Sequence, residues 1–339
     1  MTFTALKLRS GLAVLAAAAA LVGGLAASPA LAAENAAPAA NAQAFKPKGG
    51  LVLRMGDFEV LALIDDEFVT DAKGIGRTPE QWKGHEHLQS PDGKVRGEMG
   101  GHLIRNKLNK RLVLVDAGIG PRPTFNRTVD ATMMRELAAF GYKPEDITDV
   151  VFSHLHPDHT GWAYLDGKPV FPNATYWCHQ AEWDHWVKTT PTADDWIKVS
   201  PKPLVDYFVK AAGDFVRPLE PRLKTYSSAS MEMFPGLTLR QIPGHTPGST
   251  IVQLDSQGQR ALILGDVAAS PLDLVDKTWD KIHYDTNAAQ AIATRNALID
   301  EIVRDDPAVS GNHFARMRFG HVVSTPKGLR FYYNEASPD

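Results

Sequence analysis

The chain has 339 residues, with 36 Lys plus Arg against 39 Asp plus Glu and a formal net charge of -3. With 44% hydrophobic and 22% charged residues, the composition is that of a globular protein, which excludes a collagen-like fibre, a wholly disordered chain and a polytopic membrane protein. The near-balanced charge gives no general attraction to nucleic acid or anionic lipid. A single cysteine, Cys178, excludes an internal disulfide framework and any zinc site built from several thiolates.

Residues Met1 to Ala32 carry Lys7 and Arg9, then an apolar run from Leu12 to Ala27, then Ala30-Leu31-Ala32. A basic start, a short apolar centre and a small-x-small end predict a secretory signal cleaved after Ala32. The run is Ala/Gly-rich and short against the roughly 20 residues of a spanning helix, so no stable membrane insertion is expected after cleavage. That segment contains no acid, so losing Lys7 and Arg9 takes the net charge from -3 to -5. The expected location is periplasmic or secreted. Residues 33–50, rich in Ala, Pro and Asn and without periodicity, read as a flexible leader. One folded domain is expected over residues 51–339.

Within it, Phe58 to Ile64, His102 to Ile104 and Leu112 to Val115 have strand patterns. Thr128 is placed to cap a helix whose apolar face takes Val129, Met133, Leu137 and Phe140, with Gly141 as its stop. Ile147 to Phe152 reads as a buried strand ending at His154. Thr175 to Trp177 reads as a strand, and Gln180 to Lys188 and Leu204 to Ala212 as helices. Leu237 to Ile242, Thr250 to Leu254 and Ala261 to Leu264 follow as strands, the last two joined by a turn at Ser256 to Gln259. Asn287 caps a long helix with Ala288, Ile292, Ile299, Ile302 and Val303 inward, and Val322-Val323 and Leu329 to Tyr333 form a last strand pair. Strands followed by helices, twice over, predict an α/β fold of two packed sheets with helices outside.

The chemistry concentrates in Ser153-His154-Leu155-His156-Pro157-Asp158-His159-Thr160-Gly161. Three histidines and an aspartate within six residues are all metal-ligand types, and they follow a strand that would hold them rigidly. Residues two apart in an extended loop point the same way, so His154 and His156 can grip one ion while Asp158 and His159 serve a second. Partners stand where other strands end: His245 in Pro243-Gly244-His245-Thr246-Pro247-Gly248, Asp266 in Leu264-Gly265-Asp266, and His313 in Gly311-Asn312-His313. Each alone is a weak signal. Together they supply five His and two Asp, enough for two divalent ions.

The ordered set HLHPDH, PGHTPGS, LGD and GNH resembles the metallo-β-lactamase superfamily from about Leu51 to the C-terminus. The resemblance implies an αββα sandwich of two mixed sheets with the metals at one edge. It implies that His154, His156 and His245 bind the first metal, that Asp158, His159 and His313 bind the second, and that Asp266 bridges them. Asp116, otherwise a turn former at a strand end, then falls on the family aspartate that orients a ligand histidine. Within the superfamily the chain is most similar to the methyl parathion hydrolases and their lactonase and arylesterase relatives. The phrases Met55 to Val60, Phe171 to Ala174 and Gly320-His321 to Tyr333 carry that similarity. On it, Phe125 and Trp186 are candidates for the substrate pocket; read plainly, Trp183 and Trp186 are the apolar face of a short helix.

The resemblance and the charge argument together imply an exported dinuclear-metal hydrolase. A metal-bridging hydroxide, held with Asp158 and Asp266 as catalytic carboxylates, would attack the carbonyl of a lactone or aryl ester. Two divalent ions outweigh two carboxylates and a hydroxide, so the site favours a substrate oxygen that gains negative charge. Zinc is the first choice, with manganese, cobalt and iron also fitting imidazole and carboxylate donors. The ligands serve a phosphotriester as well as a carbonyl, so organophosphate hydrolysis is the alternative. β-Lactam cleavage and a non-catalytic metal-binding role rank below both. The expected partner is a small-molecule ester, lactone or phosphotriester and no nucleic acid. Exposed aromatics near Trp183 leave a homodimer open. Of the other histidines, His85, His87, His179, His185 and His283 read as solvated, His102 and His321 as structural, and Cys178 as a packed thiol.

Overall fold

The computed structural model describes residues 45–71, 77–122, 129–189, 210–277 and 285–334. The expected export segment, most of the expected leader, Phe125, Thr128, His283 and most of the expected helix Leu204 to Ala212 lie outside the described residues. From Phe45 the backbone is already tied to the folded body. Lys48 and Gly49 donate their amides to the Glu136 carboxylate at 2.6 and 3.1 Å.

In chain order the first half lays down β1 (Gly50–Met55), β2 (Phe58–Thr70), β3 (Val95–Asn106), β4 (Leu112–Val115) and β5 (Asp149–Val151). A small ribbon, β6 (Tyr164–Leu165) with β7 (Lys168–Pro169), precedes β8 (Thr175–His179) and β9 (Leu223–Tyr226). The second half adds β10 (Ser230–Phe234), β11 (Leu237–Gln241), β12 (Thr250–Ser256) and β13 (Gln259–Ile263). It closes with β14 (Ala308–Ser310), β15 (Gly320–Thr325) and β16 (Gly328–Tyr333). One seven-stranded sheet runs β1-β2-β3-β4-β5-β8-β9 and the other β10-β11-β12-β13-β14-β15-β16. Both mix parallel and antiparallel pairs.

Side-chain alternation turns these sheets into a four-layer sandwich. Val113, Val115, Val151, Phe58 and Val60 of the first sheet meet Val252, Leu254, Ala261, Ile263 and Leu239 of the second. Their neighbours point the other way. Leu114, Val150 and Phe152 pack under Met133, Leu137, Trp183 and Val216, while Ile251, Leu262 and Val309 pack under Leu298, Ile299 and Ile302. Fully burying an aliphatic or aromatic side chain contributes about 1.5–3 kcal/mol. This layered interior, rather than the short helices, therefore fixes where the strand ends sit.

Three helix expectations shift. The helix before Gly141 covers only Met133–Ala139, because Ala131 is left-handed (φ 50°) and Asp65 caps the first turn by accepting from the Met133 amide at 3.0 Å. Gln180–Trp183 makes one α turn and Asp184–Lys188 continues as a wider π turn. The long helix Ala288–Asp305 is capped by Asn287 as expected, but its buried face is Ala291, Arg295, Leu298, Ile299 and Ile302, while Val303 is exposed. Arg295, charged yet buried, turns the packed face away from Val303.

Candidate metal centre

All five histidines and both aspartates of the expected set stand just past strand ends. The run His154 to His159 leaves β5 and turns into the short helix Pro157–Thr160. His245 follows β11, Asp266 follows β13 and His313 follows β14. Within the second sheet β13 and β14 are parallel, and β11, two antiparallel steps from β13, shares their direction. Their C-terminal ends share one edge, where the Thr250 amide donates to the Ser153 carbonyl of the other sheet at 2.8 Å.

The side chains converge. Ligand atoms of His154, His156 and His245 lie within 4.8 Å of one another, as do those of His154, His159 and Asp266, and those of Asp158, His159 and His313. His154 Nε2 is 2.8 Å from His156 Nδ1, which is 3.3 Å from His245 Nε2. Across the site, His313 Nε2 is 3.6 Å from Asp158 Oδ2, and His159 Nε2 is 3.8 Å from it. Asp266 lies between the two groups. Its Oδ2 is 3.2 Å from His313 Nε2, 3.7 Å from His245 Nε2 and 4.0 Å from His154 Nε2, and its Oδ1 is 3.4 Å from His159 Nε2.

Behind the centre, ring nitrogens facing away from it are engaged by protein oxygens. His159 Nδ1 donates to Asp116 Oδ2 at 2.9 Å, His245 Nδ1 to Asp285 Oδ1 at 3.1 Å and His313 Nδ1 to the Glu98 carbonyl at 2.7 Å. His154 Nδ1 is 3.1 Å from the Ser153 hydroxyl. A proton on Nδ1 leaves the Nε2 lone pair aimed inward, the tautomer a metal ligand needs. Asp116, left-handed at φ 64°, also accepts from the Ser153 amide and hydroxyl at 2.7 Å each and from Asn312 Nδ2 at 2.8 Å.

The electrostatics divide along the same line. Burial, reinforced by the His159 and His156 charges around one and the His245 charge around the other, holds His154 and His156 well below the ordinary imidazole pKa. Burial opposes charge at His159 and His313 too, but Asp266 and Asp158 outweigh it. His159 rises well above the ordinary value and His313 to about 9. Burial would raise Asp266, yet His313 and His159 hold it well below the carboxylate range. The second group thus demands positive charge. His159 Nε2, Asp158 Oδ1 and Asp266 Oδ1 are buried with no hydrogen-bond partner among the described residues. Inward imidazole and carboxylate donors, with protons standing in for cations, fit divalent ions.

Several members of the site lacked a sequence signal. Ser153 and Asn312 sit beside ligand-type histidines and were legible only by adjacency. Glu182 is buried and staples two motifs together, accepting from the Leu155 amide at 3.1 Å and the Gly248 amide at 2.7 Å. Trp186 is 2% exposed, packed with Val187, Val216 and Leu219, and its ring meets His156 edge-on at 5.3 Å, so it offers a substrate little surface. Trp183 is also buried, which removes the exposed aromatic face near it. Phe125 lies outside the described residues. His85 and His179, expected in solvent, are buried; His179 accepts from the Ala181 amide and its ring stands edge-on to Tyr226 at 4.9 Å. Cys178 is a buried free thiol, and burial pushes its pKa well up.

Comparison with known proteins matches these features. An N-acyl homoserine lactonase of Bacillus cereus is 22% identical over 203 residues, covering 58% of this chain and 64% of the relative. The chain thus spans less than two thirds of that protein. Another N-acyl homoserine lactonase, from Bacillus sp, is 21% identical over 212 residues, covering 60% and 68%. Among solved structures, the dizinc quorum-quenching lactonase AidC superposes with a TM-score of 0.74 at 22% identity, over 86% of this chain and 100% of that one. The hydrolase AbOPH superposes with a TM-score of 0.71 at 23% identity, over 86% and 99%. The sequence profile of the metallo-beta-lactamase superfamily matches residues 102–313, spanning every candidate ligand, and the chain belongs to that superfamily.

Proposed function

We propose that this protein is a metal-dependent hydrolase that opens lactones at a dinuclear centre. His154, His156 and His245 would hold one ion, Asp158, His159 and His313 the other, and Asp266 would reach both. The observation that carries this reading is the engagement of outward ring nitrogens by Asp116, Asp285, Ser153 and the Glu98 carbonyl, which aims the opposite nitrogens inward. Divalent ions there, zinc by first choice, would polarise a carbonyl oxygen and bring the pKa of water near 7.

The chain's own residues do the rest. Asp116 keeps the imidazole of His159 in one tautomer and one orientation. Asp158 turns Oδ2 toward His159 and His313, leaving buried Oδ1 to take the proton of an attacking water and pass it to the departing alkoxide. Trp186 closes the wall behind His156 against water. The N-acyl homoserine lactonases among the relatives support a lactone as substrate class. Export is supported by the charge and apolar pattern of Met1 to Ala32.

The test is metal content together with a substrate panel on one purified sample. Dihydrocoumarin and acyl-homoserine lactones are expected to turn over well ahead of methyl paraoxon and nitrocefin. Asp266→Ala should lose metal and lower kcat/KM by at least about 1,000-fold. Full metal content with unchanged turnover in that variant would rule out the assigned role. Paraoxon outpacing every lactone would move the reading to phosphotriesters.

A further inference from the structure

The long helix Ala288–Asp305 carries one buried arginine on the face it turns to the protein. The Arg295 side chain is 1% exposed. Its Nε donates to the carbonyl of Val267, the residue after Asp266. Its Nη2 lies 3.3 Å from Asp285 Oδ1 and 3.5 Å from Oδ2. Asp285 is fully buried and accepts the Nδ1 proton of His245 at 3.1 Å. One guanidinium therefore stands directly behind His245 and behind the turn that carries Asp266.

The same helix end grips the His245 loop through the backbone. The Thr286 amide donates to the His245 carbonyl at 2.8 Å and the Asn287 amide to the Gly244 carbonyl at 3.0 Å. Thr294 Oγ1 donates to the Pro243 carbonyl at 2.8 Å. Nearby, Asp273 receives Arg77 and the amides of Ala269 and Ser270, so two buried arginines stand against two buried carboxylates. Removing one partner of a buried ion pair leaves the other charge uncompensated, so Arg295 holds the Asp285 carboxylate in the place where it receives the His245 Nδ1 proton. A carboxylate held in one place fixes the tautomer and ring angle of the imidazole it accepts from.

We infer that Arg295 is a positioning residue for the metal centre, fixing His245 through Asp285 and the Asp266 turn through the Val267 carbonyl. The inference rests on the metal assignment proposed above.

Cobalt(II) titration of the full chain, followed by its d–d absorption and by competition with a chromophoric chelator, tests it. The variants are Arg295→Met, Arg295→Lys and Asp285→Asn, with apoprotein unfolding midpoints measured in parallel. Arg295→Met and Asp285→Asn should each weaken cobalt affinity about 10- to 100-fold and shift the d–d bands. Arg295→Lys, which keeps the charge but not the second contact, should recover part of that loss. Should Arg295→Met fail to fold, Asp285→Asn and Arg295→Lys still give the two comparisons. A lowered unfolding midpoint with wild-type cobalt affinity and spectrum would overturn the inference and leave the hydrolase reading intact. A wild-type chain that binds no cobalt overturns both.

Discussion

His102 shows how far the neighbourhood of the site is set against charge. It is fully buried in β3, its Nε2 donates to the Met317 carbonyl at 3.2 Å and lies 3.0 Å from Ser310 Oγ, and burial pushes its pKa down to about 4. The unfolded chain titrates this group near 6.5. Between those values the unfolded state binds a proton that the folded state refuses, so stability is complete above pH 6.5 and falls as pH drops toward 4. The full effect is about 3 kcal/mol. Because His154 and His156, held below the ordinary imidazole value, titrate in acid as well, the informative quantity is a difference. Urea midpoints of the apoprotein from pH 7.5 to 4.5 should fall less steeply in His102→Gln, which keeps a donor for Met317 but cannot be protonated. Parallel pH curves for the two proteins would contradict this assignment. At this scale the seven inward-facing residues were legible in the sequence because they cluster in short motifs at strand ends. Asp285, Glu182 and Arg295 were not, since a buried carboxylate or guanidinium far along the chain looks like any surface charge until folding brings its partner to it.

The elements that carry the ligands depend on tight backbone approaches. Gly244 has φ 140°, and a Cβ there would lie 2.3 Å from Ala291 Cα and 2.4 Å from Ala291 N. Those are backbone atoms of the long helix, so no side chain can swing aside. Gly244→Ala is expected to cost about 1–3 kcal/mol or more from overpacking. It should also weaken the first proposed metal site, because His245 must move off the helix end that Thr286 and Asn287 hold. Gly258→Ala makes a fair comparison, since Gly258 also has positive φ (77°) in the β12–β13 hairpin but has open space where the Cβ would go. Urea denaturation and metal titration of both variants should show a stability loss in each and an affinity loss in Gly244→Ala alone. Equal metal affinities would detach the helix from the site. Element boundaries were legible where alternation or a cap was strong, as at β4, the start of β12 and Asn287. They failed where a tertiary partner decides: Asp65, distant in sequence, starts the helix at Met133, and the face of the long helix turns on a buried arginine that composition counts as polar.

On the scale of the whole molecule, the proposed ligand set draws on both sheets. His154, His156, Asp158 and His159 come from the loop after β5 in the first sheet, whereas His245, Asp266 and His313 come from loops of the second. The sandwich was legible because strand patterns and motif order agree, whereas the pairing order of the strands follows from the folded contacts alone. Without ions the inward-facing donors depend on protons at His159 and His313, and those are lost as pH rises. Ions bound there would act as cross-links between the sheets and should stabilise the folded chain by mass action. At a free metal concentration a thousandfold above Kd, each site adds about 4 kcal/mol. For a folded chain of about 290 residues, with an unfolding entropy of about 2.1 cal/mol/K per residue, that corresponds to roughly 7 °C in Tm per site. Exhaustive chelation to below about 0.1 ion per chain, followed by zinc repletion, should lower and then restore Tm, in steps that scale with the logarithm of free zinc. His154→Ala, which removes a donor of the first proposed site, should retain only part of the restored increment. A Tm indifferent to chelation at neutral pH would mean that the sheets hold the loops together unaided, and the proposed ligand set would lose its thermodynamic support.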